Sequence, residues 1–404
     1  MTLPVTPPDY AVGGGRGTVR PARARETVRR ELRRAMARVP DVFAPGARLV
    51  VGFSGGQDST CLLHALVHTR RQLDPIAVHV DHALRADSAD TARRVVELAH
   101  TIGVDCEVAR VDVAAYRQRL KHASTQQAAR AARYQALLAA AERHAAAAIL
   151  VAHTSDDQAE TVLLNLLRGT GLLGLAGMRM DDAVEPGRFG PPASAGFAHH
   201  AAIRLVRPLL KVARSITLEY CMDAGLHVVE DASNRTRAYT RNRVRLDVLP
   251  LLEQFNPAIR TVLARTADLA ADDLAALDHV VGQILPRMRS HLPVDETSSS
   301  GAERMAQDQQ FDLRLFRSQS RALQRRVLRA GIAALSGGLV DVPDAPIEDA
   351  LDLLQTSGAN RAYHLPYGIE LCIGAQAFSL QRGGRARQRQ PQLRKKWAAV
   401  VPRV

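Results

Sequence analysis

The hexapeptide Ser54-Gly55-Gly56-Gln57-Asp58-Ser59 brings together residue types that bind an oxyanion. Two glycines permit a tight turn whose N–H groups converge, and the hydroxyls of Ser54 and Ser59 can donate to phosphate oxygens. Asp58 would repel a phosphate unless a cation lay between them, so the loop implies Mg2+ held by Asp58. There is no G-x-x-x-x-G-K-[ST] spacing, which excludes the Walker type of NTPase loop. An ordinary Gly-Gly turn capped by Ser59 is the bland alternative. It is disfavoured because the hexapeptide stands between an apolar run, Arg48–Phe53, and a helical stretch whose N-terminus favours anions.

Other residues have chemistry within reach. Asp157 and Glu160 are three apart and share one helix face, a pair that suits a metal or a substrate ammonium, or merely complements a helix dipole. Asp81 and His82 close a strand, where the adenine or ribose of a nucleotide would lie; no base role follows for His82. Arg130 and Arg133 also share a helix face and suit an α-phosphate, RNA or plain solvent. Between Arg235 and Arg245 five arginines stand among Asn, Thr and Tyr without an acid, a pattern for phosphate contacts or for a solvated helix start. Gly169-x-Gly171-x-x-Gly174 has dinucleotide-loop spacing but follows a helical stretch, so NAD and FAD are rejected.

The elements that would position these residues alternate. Apolar strands at Arg48–Phe53, Pro75–Val80, Val104–Val111, Ala147–Ala152 and Ile203–Val206 are separated by helical stretches at Ser59–His68, Ser88–Ile102, Thr125–His144 and Asp156–Leu167. That pattern predicts an α/β fold, a doubly wound parallel sheet with ligands beyond the carboxyl ends of its strands. Residues 181–202 read as a surface loop. A basic helix is expected over 24–39, and a mainly helical C-terminal half with a small β element around Pro366-Tyr367-Gly368, after a polar break at Ser290–Gln309. The expected organisation is a disordered basic tail over 1–22, a nucleotide-binding domain over 23–250, a second region over 251–382 and a basic tail over 383–404.

The net charge of +13 is unevenly spread: residues 1–44 hold +5 and residues 383–404 hold +7, leaving +1 for the body. No apolar run approaches the ~20 residues of a membrane span, so no membrane partner is expected. Four scattered cysteines without a C-x-x-C pair argue against zinc ribbons, clusters and disulfides, and point to the cytoplasm.

The hexapeptide resembles the pyrophosphate-binding loop of the N-type ATP pyrophosphatases, which adenylate a carbonyl oxygen. Within that superfamily, Val80-Asp81-His82-Ala83-Leu84-Arg85, Ala129-Arg130-Ala131-Ala132-Arg133-Tyr134 and Ala152-His153-Thr154-Ser155-Asp156-Asp157-Gln158-Ala159-Glu160-Thr161 are similar to motifs of the tRNA(Ile)-lysidine synthetase family. So are Arg168-Gly169-Thr170-Gly171, Arg207-Pro208-Leu209-Leu210, Asp231-Ala232-Ser233-Asn234 and Tyr239-Thr240-Arg241-Asn242-Arg243-Val244-Arg245. The resemblance covers about residues 46–257, with departures at Thr154 and Gln126, where many members carry His and Glu.

It implies ATP-dependent joining of free L-lysine to C2 of the wobble cytidine of a CAU-anticodon tRNA(Ile), through an adenylated cytidine. ATP would lie on Ser54, Gly55, Gly56, Gln57, Asp58, Ser59, Asp81 and His82. Asp58, Asp157, Glu160 and Arg130 would be catalytic, with the acid pair holding lysine. Arg133, Arg168, Arg235, Arg237, Arg241, Asn242, Arg243 and Arg245 would grip tRNA. The alternatives are a tRNA 2-thiolase of the same superfamily, for which paired cysteines are missing, and a non-catalytic RNA-binding protein with a relict nucleotide pocket. The oligomeric state is left open.

Overall fold

The strand β1, Arg48–Gly52, explains the architecture of the nucleotide-binding part. Leu49, Val50 and Val51 are all fully buried, so this short run has no polar face. Leu49 and Val51 pack on one side with Leu62, Leu63 and Val95, whereas Val50 packs on the other with Tyr134, Leu137 and Ile149. A strand with both faces apolar must sit inside a sheet covered by helices on both sides.

A computed structural model describes residues 21–69, 72–83, 88–120, 124–184, 189, 202–229, 236–237, 239–290, 309–336, 342–356, 358 and 361–382. The chain divides into two compact units, Met1–Ala275 and Ala276–Val404.

In the first unit, β1 is followed by β2 (Asp74–Asp81), β3 (Cys106–Arg110), β4 (Ala148–Leu150), β5 (Asp181–Val184) and β6 (Ile203–Val206). Their order in the sheet is β3-β2-β1-β4-β6-β5; every pair is parallel except β5 on β6. The expected doubly wound α/β sheet is thus present, with its five expected strands. One expectation fails, because part of the supposed loop 181–202 is the antiparallel edge strand β5. Asp181 pairs with Arg204 across the strands (2.5 Å) and Val184 is buried, two cues invisible without the neighbour.

The helices are α1 (Pro21–Arg38), α2 (Gln57–Val67), α3 (Ser88–Ile102), α4 (Val113–Arg119), α5 (Thr125–Arg143), α6 (Ser155–Leu167), the single turn α7 (Leu172–Leu175) and α8 (Arg214–Asp223). Short α4 was not expected from periodicity; Asp112 caps it by accepting from the Ala115 N–H at 2.9 Å. Then come α9 (Thr240–Arg243), a π-helical turn over Val244–Val248, α10 (Leu249–Phe255) and α11 (Ile259–Ser290), which carries the chain into the second unit.

The second unit has a four-stranded antiparallel sheet of β7 (Gln309–Asp312), β8 (Arg361–Leu365), β9 (Ile369–Ile373) and β10 (Ala377–Arg382), in the order β7-β10-β9-β8. The polar break therefore ends one residue early, since Gln309 begins an edge strand whose Phe311 is buried against Phe378. Helices Arg321–Ser336 and Asp344–Thr356 cover this sheet through Val327, Leu328, Ile347 and Leu351. Among the described residues no helix is long and apolar enough to cross a membrane.

Candidate active site

The Ser54–Ser59 turn links β1 to α2 at the carboxyl edge of the sheet, as expected. Gly55 is where glycine is indispensable. Its φ is +76°, and a Cβ there would lie 2.8 Å from Val95 Cγ2 and 3.2 Å from Val229. The loop hydroxyls satisfy one another: Ser54 Oγ and Ser59 Oγ are 3.1 Å apart, the Ser54 N–H donates to Ser59 Oγ (3.2 Å), and Ser59 Oγ donates to Gly56 O (3.0 Å). Gln57 turns away, its amide donating to Arg214 O at 2.8 Å, so its side chain ties the loop to α8.

Asp58 stands in the first turn of α2. One carboxylate oxygen accepts from Thr217 Oγ1 (2.5 Å) and the other from Arg214 Nε (3.2 Å). Burial pushes its carboxyl above the ordinary 3.8 against the pull of Arg214 and Thr217, and Asp157 adds to the rise.

The acid pair begins α6. Asp157 Oδ2 accepts from both the N–H (3.0 Å) and the hydroxyl (2.9 Å) of Thr154, which gives this departure from the family pattern a structural task. Its Oδ1 accepts from Arg214 Nη2 at 3.0 Å, with Arg241 and Arg245 at 3.4 and 3.5 Å. Burial alone would raise this carboxyl, but Arg214, His153, Arg241 and the Thr154 N–H outweigh it and hold it well below the usual carboxylate range. Glu160 is completely buried, accepting from Arg241 Nε (2.8 Å) and Arg245 Nε (2.6 Å).

Arg214, which the sequence reading missed, joins the two halves. It opens α8, its N–H donates to Asp156 (2.8 Å), and its guanidinium bridges Asp58 on α2 to Asp157 on α6. Burial would lower its pKa, yet Asp157, Asp58, Glu160 and Asp156 hold it above the ordinary guanidinium value. Three carboxylates and three guanidiniums thus neutralise each other in a largely desolvated centre. The available signal was its place seven residues after Arg207, at the start of a helix.

The arginine cluster does not present one face. Arg241 and Arg245 point inward to the acids, whereas Arg237 is exposed beside Asp247 (2.9 Å) and Arg243 is exposed. Asn242 donates to Thr236 O at 2.8 Å. Arg168 is exposed at the end of α6, and Arg235 lies outside the described residues. At the end of β2, Asp81 accepts from the Ala83 N–H (2.8 Å), and His82 is half-buried. Arg130 and Arg133 flank the ring of Tyr134 at 5.0 and 5.4 Å. Gly169 follows α6, confirming that no dinucleotide-type strand precedes it. Burial pushes the thiols of Cys106 and Cys221 up to about 11 and about 12 and raises that of Cys61 well above its ordinary value, so none of the three offers a ready thiolate.

Among the described residues no group of three or more His, Cys, Asp or Glu could by itself hold a metal ion. Mg2+ commonly needs only one or two carboxylates, with phosphate oxygens and water completing its shell. Asp58 and Asp157, already gathered on one guanidinium, fit that requirement.

A mostly parallel α/β sheet with a Ser-Gly-Gly turn after its first strand, backed by buried carboxylates, is the architecture of a nucleotide-binding class. A family model described as a PP-loop domain matches residues 24–252. The tRNA(Ile)-lysidine synthase of Dehalococcoides mccartyi (strain CBDB1) is 33% identical over 345 residues, 85% of this chain and 68% of that protein. That of Thermosynechococcus vestitus (strain NIES-2133 / IAM M-273 / BP-1) is 35% identical over 342 residues, 83% and 87% respectively. That of Salinispora arenicola (strain CNS-205) is 43% identical over 255 residues, 62% and 69%. The chain belongs to the tRNA(Ile)-lysidine synthase family of PP-loop proteins.

Proposed function

We propose that this chain is an ATP-dependent ligase that joins L-lysine to C2 of the wobble cytidine of CAU-anticodon tRNA(Ile), releasing AMP and pyrophosphate. Family membership supports the reaction. The observation that carries the site assignment is the meeting of the Ser54–Ser59 turn and the Asp157/Glu160 pair on one guanidinium, Arg214.

In this reading the main-chain amides and hydroxyls of Ser54–Ser59 bind the triphosphate, and Asp81 and His82 border the nucleoside. Mg2+, when bound, would neutralise phosphate charge beside Asp58. The cytidine C2 oxygen attacks the α-phosphate, and pyrophosphate leaves. The lysine ε-amine then attacks C2 and displaces AMP. Such a reaction needs mainly positioning and charge cancellation from the protein, the tasks suited to a preorganised array of guanidiniums and carboxylates.

For Asp157 and Glu160 to hold a lysine ammonium, one of their arginine partners must yield its place, so lysine enters by exchanging cations. Residues 23–250 serve as the ATP pyrophosphatase domain and 251–382 as the tRNA-binding region, with Arg130 near the reacting phosphate. Arg133, Arg168, Arg235, Arg237, Arg241, Asn242, Arg243 and Arg245 stay assigned to the tRNA side, with Arg241 and Arg245 acting through the acid pair. The compartment is the cytoplasm. Mass spectrometry of nucleosides from tRNA(Ile) incubated with the protein, ATP, Mg2+ and lysine should reveal lysidine. Unmodified cytidine, or sulfur incorporation instead, would refute the proposal.

A further inference from the structure

One face of α8 grips the first turn of α2. Arg214, Thr217 and Cys221, three and then four residues apart, stand in a row along it. Arg214 Nε donates to Asp58 Oδ2 (3.2 Å), the Thr217 hydroxyl to Asp58 Oδ1 (2.5 Å), and Cys221 Sγ to Gln57 O (3.3 Å). The Gln57 amide answers in the other direction, donating to Arg214 O (2.8 Å) and to Thr217 Oγ1 (3.3 Å). Thr217 is completely buried at the centre of this network.

Its hydroxyl has one hydrogen and two acceptors in reach. Besides Asp58, Arg214 O lies 2.9 Å from Oγ1, one turn back along α8. A hydroxyl donates only once, and the shorter contact, to a charged oxygen, is the stronger. Yet the hydroxyl can turn onto Arg214 O without stranding a donor, because that carbonyl keeps a lone pair beside the one that Gln57 uses. Asp58 Oδ1 would then stand open to a cation.

The same contact also restrains Arg214. Its guanidinium is divided, with Nε on Asp58 and Nη2 on Asp157 at 3.0 Å. A carboxylate free to rotate would turn both oxygens onto the guanidinium, since the bidentate pair is stronger. The Thr217 hydroxyl holds Oδ1 on the other side.

We infer that Thr217 is a positioning residue for Asp58. It keeps one carboxylate oxygen out of the ion pair with Arg214 and yields that oxygen to the divalent cation accompanying the nucleotide. The inference rests on the reading above that puts Mg2+ beside Asp58.

The test is equilibrium binding of α,β-methylene-ATP, which cannot release pyrophosphate, by the full chain at a series of Mg2+ concentrations and in EDTA. Loss of the partner that orients a metal-holding carboxylate costs about 10–100-fold in metal affinity. Thr217→Val should therefore need about tenfold more Mg2+ to reach half of the cation-dependent gain in nucleotide affinity, with binding in EDTA within about twofold of wild type. Thr217→Ser, which restores the hydroxyl, should need no more than about threefold extra Mg2+. Added to Asp58→Asn, Thr217→Val should change nucleotide affinity in Mg2+ by less than about twofold, because both substitutions remove one interaction.

An unchanged Mg2+ requirement in Thr217→Val would overturn the inference. So would an equal loss in Thr217→Ser, or a full effect of Thr217→Val on top of Asp58→Asn; either would assign the effect to packing. Should Thr217→Val fail to fold, Thr217→Cys, similar in size and a weak donor, decides in its place. A wild type whose nucleotide affinity ignores Mg2+ would overturn the cation at Asp58 and this inference with it. Because no readout requires product, failure to detect lysidine would sink the proposed reaction and leave this test intact.

Discussion

At Asp58 two influences are set against each other: burial favours the neutral acid, and Arg214 and Thr217 favour the carboxylate. A cation arriving with the nucleotide would settle the matter by holding the ionised form. Asp58→Asn should therefore abolish pyrophosphate release that depends on tRNA and lysine, by a factor of 100 or more on the order of a lost charge clamp. Turnover near the wild-type rate would remove the metal from Asp58.

His64 supplies a separate, measurable pH effect. Its Nδ1 lies 2.9 Å from the Tyr220 hydroxyl and its ring stacks on His68, and burial lowers its pKa from 6.5 to about 4, with His68, Arg25 and Arg29 assisting. Between those two values the unfolded chain binds a proton that the folded chain refuses. Stability from this group is thus present above pH 6.5 and drains away as pH falls toward 4. Melting temperatures recorded from pH 7 to pH 4 should decline less steeply for His64→Gln; parallel curves would show that other groups govern the decline. The loop and the acid pair were legible because their signals are local, two short strings of residue types. Arg214, Arg241 and Arg245 were less legible: an arginine reads alike whether it meets solvent, RNA or a carboxylate brought in from elsewhere.

Among the elements, α8 has the heaviest task. Its first residue, Arg214, binds carboxylates on α2 and α6, Thr217 binds Asp58, and its last turn is held by Arg25 of α1, which donates to Asp223 O at 2.6 Å. Arg214→Leu would leave Asp58 and Asp157 short of a countercharge in a buried place, at a cost of roughly 3 kcal/mol or more. Urea unfolding should show the lowered midpoint, with partial recovery in Arg214→Lys; an unchanged midpoint would mean that water replaces the guanidinium. The five expected strands were legible because buried parallel strands are continuous apolar runs. By contrast, β5 carries two aspartates in four residues and becomes a strand only through Arg204 and its partner's ladder. α4 is likewise too short to display a helical period.

For the molecule as a whole, the separation of charge is what matters. The body is close to neutral and residues 383–404 carry +7, whereas the acid centre is internally balanced. Affinity for tRNA should fall steeply with salt, and removal of residues 383–404 should flatten the dependence of log K on log salt by about 0.7–0.9 for each phosphate that the tail had neutralised. Identical slopes for full and shortened chains, measured by filter binding, would assign the grip to the remaining arginines. This charge distribution could be read directly from the sequence, because it needs only counting.

Arg214 lies 156 residues beyond Asp58, and Arg245 lies 85 beyond Glu160, yet the guanidiniums and acids close on each other within a few ångströms. No stretch emerging early from the ribosome contains both halves of that centre. Pairings so distant along the chain form late, because long loops must close before they are rewarded. During refolding from urea, the sheet and its helices should therefore regain their circular dichroism before nucleotide can be bound, and competence should arrive with the docking of α8 and α9. Simultaneous recovery of both signals would show instead that the centre forms together with the sheet.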